Sequence, residues 1–249
     1  MTPEAAFFPL FEGLPRQGPG SDGCTRAALR RLPRLPQAPR VVDLGCGSGQ
    51  PTLVLAEALR TRVIAVDLHQ PFLDQLMAQA QARGLAPLIE TRCADFGRLE
   101  DAPDLAPGSV DLLWSEGAIY LLGLEAGLRL WRPLLAPGGL AAVSECSWLT
   151  DQPPAEAHAF FDEGYPEMGS IARNTARAER AGFELLDCFP LPAAAWWDDY
   201  YTPLAARLDA LEGDPTLAAP IAETRREIEL FRRHGDSYGY VFYLLRARG

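Results

Sequence analysis

Paired cysteines, clustered histidines and long apolar runs are all missing from this chain, and each absence removes a class of protein. The five cysteines (Cys24, Cys46, Cys93, Cys146 and Cys188) stand far apart with no Cys-x-x-Cys among them, so they offer neither a zinc site nor a disulfide framework. Several fall in or beside stretches that read as strands, where a free thiol behaves as a small hydrophobe. A reducing compartment is expected. His69, His158 and His234 are not grouped either, and no metal site is expected. No apolar run approaches a membrane span, and Met1 is not followed by a basic-then-apolar leader. A cytoplasmic protein without a membrane partner is therefore expected. Excess positive charge is lacking too. At a formal net charge of −10, the chain would repel a long phosphate backbone. Its two basic groups, Arg26, Arg30, Arg31, Arg34 and Arg225, Arg226, Arg232, Arg233, sit at helical spacing, the second among Glu223, Glu227 and Glu229. They read as solvated helix faces, and no nucleic-acid partner is expected.

What is present is an ordinary globular composition, 48% apolar and 22% charged over 249 residues, enough for one domain with a sizeable core. Strand patterns fall at 40–44, 62–67, 88–93, 109–114 and 138–144, with helical patterns near 50–60, 70–83 and 123–135 between them. This alternation predicts an α/β fold, a doubly wound, mostly parallel sheet of right-handed βαβ units. A helix at 169–181 and a strand at 183–189 follow, and Tyr238 to Leu245 read as a final strand. Residues 1–39 are a proline- and glycine-rich approach, with Ser21 or Asp22 capping a helix from Gly23 to Leu32. Residues 191–236 form a helical excursion rich in Trp, Tyr and Asp. The whole, 1–249, reads as a single domain, with 1–39 as a lid and 191–236 as an inserted cap.

The chemistry is concentrated at Val41-Val42-Asp43-Leu44-Gly45-Cys46-Gly47-Ser48-Gly49. A buried-type strand runs there into a turn with glycine at every second position, followed by a helix whose first amides favour a negative group. The next strand, Arg62 to Asp67, ends in a carboxylate. In a doubly wound sheet both strand ends open on one crevice, so Asp67 reaches the two hydroxyls of a ribose held over the turn. The dinucleotide fingerprint would need a small residue where this chain has Gln50. Asp43, before the turn, suits a ligand carrying an ammonium or sulfonium and repels a pyrophosphate.

The pattern acid-x-Gly-x-Gly-x-Gly resembles motif I of class I S-adenosylmethionine-dependent methyltransferases, and Asp67 resembles the acidic residue that ends their second strand. Cys93-Ala94-Asp95-Phe96 resembles their adenine-binding turn. The resemblance covers roughly residues 40–145. It implies a seven-stranded sheet in which the connection between the sixth and seventh strands has grown into the cap, and S-adenosyl-L-methionine as cofactor. Asp43 would hold the methionine ammonium, with Gly45, Gly47 and Gly49 giving close backbone approach. Asp67 would hold the ribose, Leu68 would pack on adenine, and Asp95 and the Ala94 amide would bond its edge. Ser115 is placed with this cofactor set. Gly18-Pro19-Gly20-Ser21, Trp114-Ser115-Glu116-Gly117-Ala118-Ile119-Tyr120 and Tyr238-Gly239-Tyr240-Val241-Phe242 look like a bacterial subfamily grouped with UbiE-type enzymes.

The end of the fourth strand faces the transferable methyl in such a fold, which makes Glu116 and Tyr120 the acceptor-side catalytic candidates. Glu145 and Trp148, on the neighbouring lip, and Tyr165, Trp196 and Trp197 are expected to line an enclosed aromatic pocket for a small, uncharged or cationic acceptor. An aromatic helix simply pinned to the domain is the competing account of Trp196 and Trp197, and an ordinary helix cap that of Asp95. Rival functions are guanidino or arginine N-methylation through Glu116 and Glu125, a cofactor-binding module without catalysis, and an NAD-linked dehydrogenase, which Gln50 disfavours.

Overall fold

The computed structural model describes residues 8–98 and 105–248; residues 1–7 of the expected lid lie outside that range. Its elements, in chain order, are α1 (Phe8–Phe11), α2 (Asp22–Arg31), β1 (Val41–Leu44), α3 (Gln50–Leu59), β2 (Val63–Asp67), α4 (Gln70–Ala82), β3 (Ile89–Cys93), β4 (Val110–Glu116) and α5 (Leu124–Trp131). There follow β5 (Leu135–Trp148), α6 (Ala155–Gly164), β6 (Gly169–Ser170), α7 (Ile171–Arg180), β7 (Phe183–Pro190), α8 (Ala194–Trp196), a π-turn (Trp197–Tyr201), α9 (Thr202–Leu211), α10 (Ala218–His234) and β8 (Tyr238–Ala247).

The strands lie in the order β3-β2-β1-β4-β5-β8-β7, parallel except for β8, which runs antiparallel to both β5 and β7. Successive residues of β1 point to opposite faces, and all four are buried. Val42 and Leu44 join one core with Ile64, Val66, Leu113, Val143 and Trp131. Val41 joins the other with Leu53, Leu55, Ala65, Leu112 and Trp114. A third cluster, built from the cap, holds Trp196, Tyr201, Phe231 and Tyr238, with Leu10 and Leu14 from the N-terminal segment.

Three expectations need amendment. The sheet has eight strands instead of seven, because β6 adds a two-residue parallel pairing to Ser147 and Trp148. On that same edge of β5, β4 pairs only as far as Ser144, while β8 holds the opposite edge through Trp148. β6 therefore continues the sheet beyond the carboxyl end of β4. The helix α6 had no counterpart in the sequence reading, because Phe160 and Phe161 sit among acidic and small residues without a sustained apolar stripe. The helix expected at 123–135 gives way after Trp131 to a short 3₁₀ turn, Arg132–Leu134, where Pro133 forbids further α-helical bonding. Elsewhere the pattern and the structure agree. Ser21 caps α2 by accepting from the Cys24 amide at 3.1 Å, and the cap occupies the β7-to-β8 connection. Pro190 pairs with Val241, so the cap leaves and re-enters the sheet on adjacent strands.

Candidate functional site: a carboxylate-lined glycine crevice under an N-terminal strap

The carboxyl ends of β1 and β2 are joined at the glycine turn. The Gly45 and Cys46 amides both donate to the Val66 carbonyl, at 2.9 and 3.0 Å. Asp67 closes the arrangement, its Oδ2 accepting from the Gly47 amide at 2.8 Å and its Oδ1 from His69 at 2.9 Å. Each oxygen keeps a second lone pair for an incoming hydroxyl. Gly47 has φ +52, a left-handed conformation that favours glycine, and a Cβ there would displace the Gln17 carboxamide. A Cβ at Gly45 would likewise run into that of Ala118. Gly49, also left-handed, caps α3.

Asp43 lies behind the turn, fully buried. Thr52 Oγ1 donates to its Oδ2 at 2.6 Å, while Oδ1 has no partner. Burial pushes its carboxyl up to about 7, with Glu116 and Asp67 adding to the rise and the Thr52 bond and Arg16 opposing it. Asp67 is also raised, chiefly by burial and against the two amides it accepts from. An orphaned buried carboxylate oxygen beside a second carboxylate is completed by a cationic group, which fits an ammonium- and sulfonium-bearing cofactor. Leu68 is 60% exposed at the crevice edge, available to an adenine face. Gln50, where a dinucleotide site needs a small residue, is engaged by Gln79 at 2.6 Å and ties α3 to α4.

Several expected site residues take other roles. Ser115 is buried and its hydroxyl donates to the Leu44 carbonyl at 2.8 Å, tying β4 to β1; its side chain does not face a ligand. The Ala94 amide already donates to the Asp67 carbonyl at 3.0 Å, and Asp95 accepts from the Gly97 amide in a local turn. Trp196 is 3% exposed and stacks on Phe231 at 4.2 Å, while Arg232 lies over Trp197 at 5.5 Å. Both tryptophans pack within the cap. Glu125 sits on α5 between Arg129 and Arg180, and shares no partner with Glu116. The two glutamates form no clasp for a guanidinium.

Glu116 itself is fully engaged. Thr25 Oγ1 and Trp114 Nε1 donate to its Oε1 at 2.6 and 2.9 Å, and Arg16 donates to Oε2 at 3.2 Å. Both side chains of this ion pair are 5% exposed. Glu116, an acceptor-side catalytic candidate in the sequence, is thus the anchor of an N-terminal strap. Other bonds complete the strap: Gln17 Oε1 accepts from the Ser48 amide at 2.7 Å, Ser48 Oγ donates to the Pro15 carbonyl at 3.0 Å, and Gln75 donates to the Leu14 carbonyl at 2.8 Å. Arg16 and the Thr25 bond were not anticipated, and the only local signal was the Gly18-Pro19-Gly20-Ser21 turn.

On the acceptor side, Tyr120 follows β4, is 40% exposed and meets Tyr165 edge to face with centroids 5.9 Å apart. Glu145, on β5, is 1% exposed, with the Tyr165 hydroxyl as its neighbour. Burial pushes Glu145 up to about 8, against the neighbouring Tyr165 hydroxyl and Arg177. Trp148 stacks on His158 and packs edge-on against Phe161. Tyr240, from β8, would lie 3.6 Å from a Cβ at Gly117, a neighbour of the site that the sequence reading did not single out.

A family described as "Methyltransferase domain" matches residues 41–139. The matched stretch contains Asp43, the three glycines, Asp67 and Glu116. Beyond it, the chain is 34% identical over 194 residues to the trans-aconitate 2-methyltransferase of Azoarcus sp. (strain BH72), covering 76% of this chain and 66% of the relative. The chain thus spans just under two thirds of that relative's length. Among solved structures, a methyltransferase from Geobacter sulfurreducens in complex with S-adenosyl-L-homocysteine superposes with a TM-score of 0.79 at 21% identity, over 98% of each chain. The [4+2]-cyclase SpnF superposes with a TM-score of 0.78 at 19% identity, over 98% of this chain and 93% of its own. These likenesses establish the α/β, mostly parallel methyltransferase fold.

Proposed function

We propose that this protein transfers the methyl group of S-adenosyl-L-methionine to a small-molecule acceptor held beyond the ends of β4 and β5. The observation that carries the reading is the pairing of Asp67 with the Gly47 amide at 2.8 Å, which brings the second-strand acid and the glycine turn to one crevice. The methyltransferase-domain match and the methyltransferase relatives support it.

The residues divide the work as follows. Asp67 accepts from ribose hydroxyls through its spare lone pairs. Asp43 and its orphaned Oδ1 neutralise the methionine ammonium, and Leu68 covers one face of the adenine. Bound there, the cofactor supplies an electrophilic methyl on a sulfonium. The protein then has mainly to align the acceptor and exclude water. Strap residues Leu14 to Thr25 cover the crevice, and Tyr120, Tyr165 and Glu145 face the acceptor. Glu116 holds the strap and takes no proton. The unpaired cysteines suit a cytoplasmic enzyme, and a UbiE-type grouping remains a proposal, since the curated relative acts on trans-aconitate by name.

The same fold serves a protein named as a [4+2]-cyclase, and because fold does not fix function a second reading is a cofactor-binding protein that does not transfer the methyl. Calorimetric titration with S-adenosylhomocysteine, with NAD as control, tests the cofactor. One-site binding absent for NAD is expected, and binding of NAD alone would overturn it. Release of S-adenosylhomocysteine from S-adenosylmethionine with trans-aconitate, phenols and amines then separates an enzyme from a binding module.

A further inference from the structure

The N-terminal strap, with α1 leading into it, has two seams that differ in chemistry. One seam joins it to the cap. Arg207 on α9 donates to the Pro9 carbonyl at 3.1 Å, and the Gly20 amide donates to the Ala195 carbonyl at 2.9 Å. Between these ties Leu10 and Leu14 are buried in the cap's own cluster, which also holds Leu204 and Leu208. The other seam, over the crevice, is made of polar bonds. The Ser48 amide donates to Gln17 Oε1, Ser48 Oγ to the Pro15 carbonyl, Gln75 to the Leu14 carbonyl and Arg16 to Glu116. Glu12 reaches His69 at 2.8 Å, and Phe8, stacked on the same ring, is an aromatic exception. This polar seam covers one end of the crevice. Gln17 fills the space that a Cβ on Gly47 would take, and Asp43 beneath the turn is wholly buried. Leu68, at the other end, is exposed.

We propose that the strap is a gate for the cofactor, and that it opens by parting from the glycine turn while staying with the cap. Hydrogen bonds at the crevice seam exchange for bonds to water at little net cost. Arg16 and Glu116 regain water together when they part, so neither is left as a lone buried ion. Lifting Leu10 and Leu14 out of the cap would expose apolar surface with no such compensation. The seam that gives is therefore the one over Gly47 and Ser48. The inference rests on the cofactor reading of the crevice and adds how that cofactor enters and leaves. The rate of exchange is then governed by strap contacts such as that of Gln75, on α4, with the Leu14 carbonyl.

Two amides report the two seams, Ser48 over the crevice and Gly20 on the cap. In native-state hydrogen exchange of the ligand-free protein, followed by NMR, Gln75→Ala should speed Ser48 about two- to tenfold, as for the loss of one hydrogen bond, and leave Gly20 unchanged. Surface plasmon resonance with S-adenosylhomocysteine over the immobilised full chain then reads the gate. Gln75→Ala should raise the association and dissociation rates by a common factor of about two to ten, with the dissociation constant changed less than about twofold. Arg207→Ala, which loosens the cap seam, should leave both rates alone. Gln17→Ala makes the same kinetic test if Gln75→Ala does not fold. A Ser48 amide indifferent to Gln75→Ala, a Gly20 amide that responds with it, or equal acceleration by Arg207→Ala would overturn the proposal. So would faster dissociation alone with a matching loss of affinity, the mark of a group that simply binds the ligand. Failure of S-adenosylhomocysteine to bind while both amides behave as expected would remove the cofactor reading and leave the parting of the strap standing.

Discussion

Single carboxylates set most of the testable behaviour. Asp67 fastens the turn and faces the crevice, so Asp67→Ala should weaken S-adenosylhomocysteine binding by tenfold or more in a calorimetric titration; unchanged affinity would remove it from the ribose role. Burial raises Asp43 to about 7 and Glu145 to about 8. Both therefore keep protons in the folded state that the unfolded chain has already released. Their contribution is most favourable at low pH and is lost as pH climbs from the ordinary carboxyl range through those values. Thermal midpoints should accordingly fall across that window, and Asp43→Asn with Glu145→Gln should flatten the profile. The ammonium of a bound ligand favours ionised Asp43, so S-adenosylhomocysteine binding near neutral pH should release a proton. Titration in buffers of different ionisation enthalpy detects it, and Asp43→Asn should abolish it. The sequence disclosed Asp43, Asp67 and the glycines because local spacing fixes where each must stand. It could not disclose that Ser115 and the Ala94 amide are used within the sheet, since those partners come from β1 and β2.

Among the elements, the strap and the cap carry the predictions. Glu116 and Arg16 are a buried pair, and removing one partner of such a pair costs about 3–5 kcal/mol when nothing replaces it. Asp22 also holds Arg16 at 3.1 Å, so Glu116→Gln should cost less. Its main effect should be on the strap. The Arg16–Gln17 bond, protected in the parent protein, should become a trypsin site in Glu116→Gln, read by mass spectrometry; equal resistance in both would show that Glu116 does not hold the strap. In the cap, Trp196→Ala removes a buried ring stacked on Phe231 and should cost about 3–5 kcal/mol in denaturant unfolding. Its S-adenosylhomocysteine affinity should stay unchanged. Strands and long helices were legible because their periodicity is local. The strap's attachment was not, since Glu116 and Arg16 are separated by 100 residues.

Across the whole molecule, two demands are met in different places. The proposed cofactor side is built from β1, β2 and the glycine turn, where Val66, Asp67 and Ala118 constrain Gly45, Cys46 and Gly47. The proposed acceptor side would instead draw on the ends of β4 and β5 and on Tyr165 after α6, which are separate stretches of chain. This division explains the limits of sequence reasoning here. A site made by one βαβ unit leaves a compact signature, whereas one assembled across the sheet leaves scattered aromatics whose roles only packing distinguishes. Trp148 and Trp196 look alike in sequence; one lines a cavity and the other is core.

The facing of Pro190 and Val241 across adjacent strands gives the cap a hinge-like point of attachment. Insertions there meet a slowly growing closure cost, about 0.6 kcal/mol for each doubling of loop length. The chain can thus lengthen or shorten within residues 191–237 while strand order and the spacing of Asp43 to Asp67 stay fixed. Evolution can edit such a cassette and leave the crevice at the ends of β1 and β2 untouched.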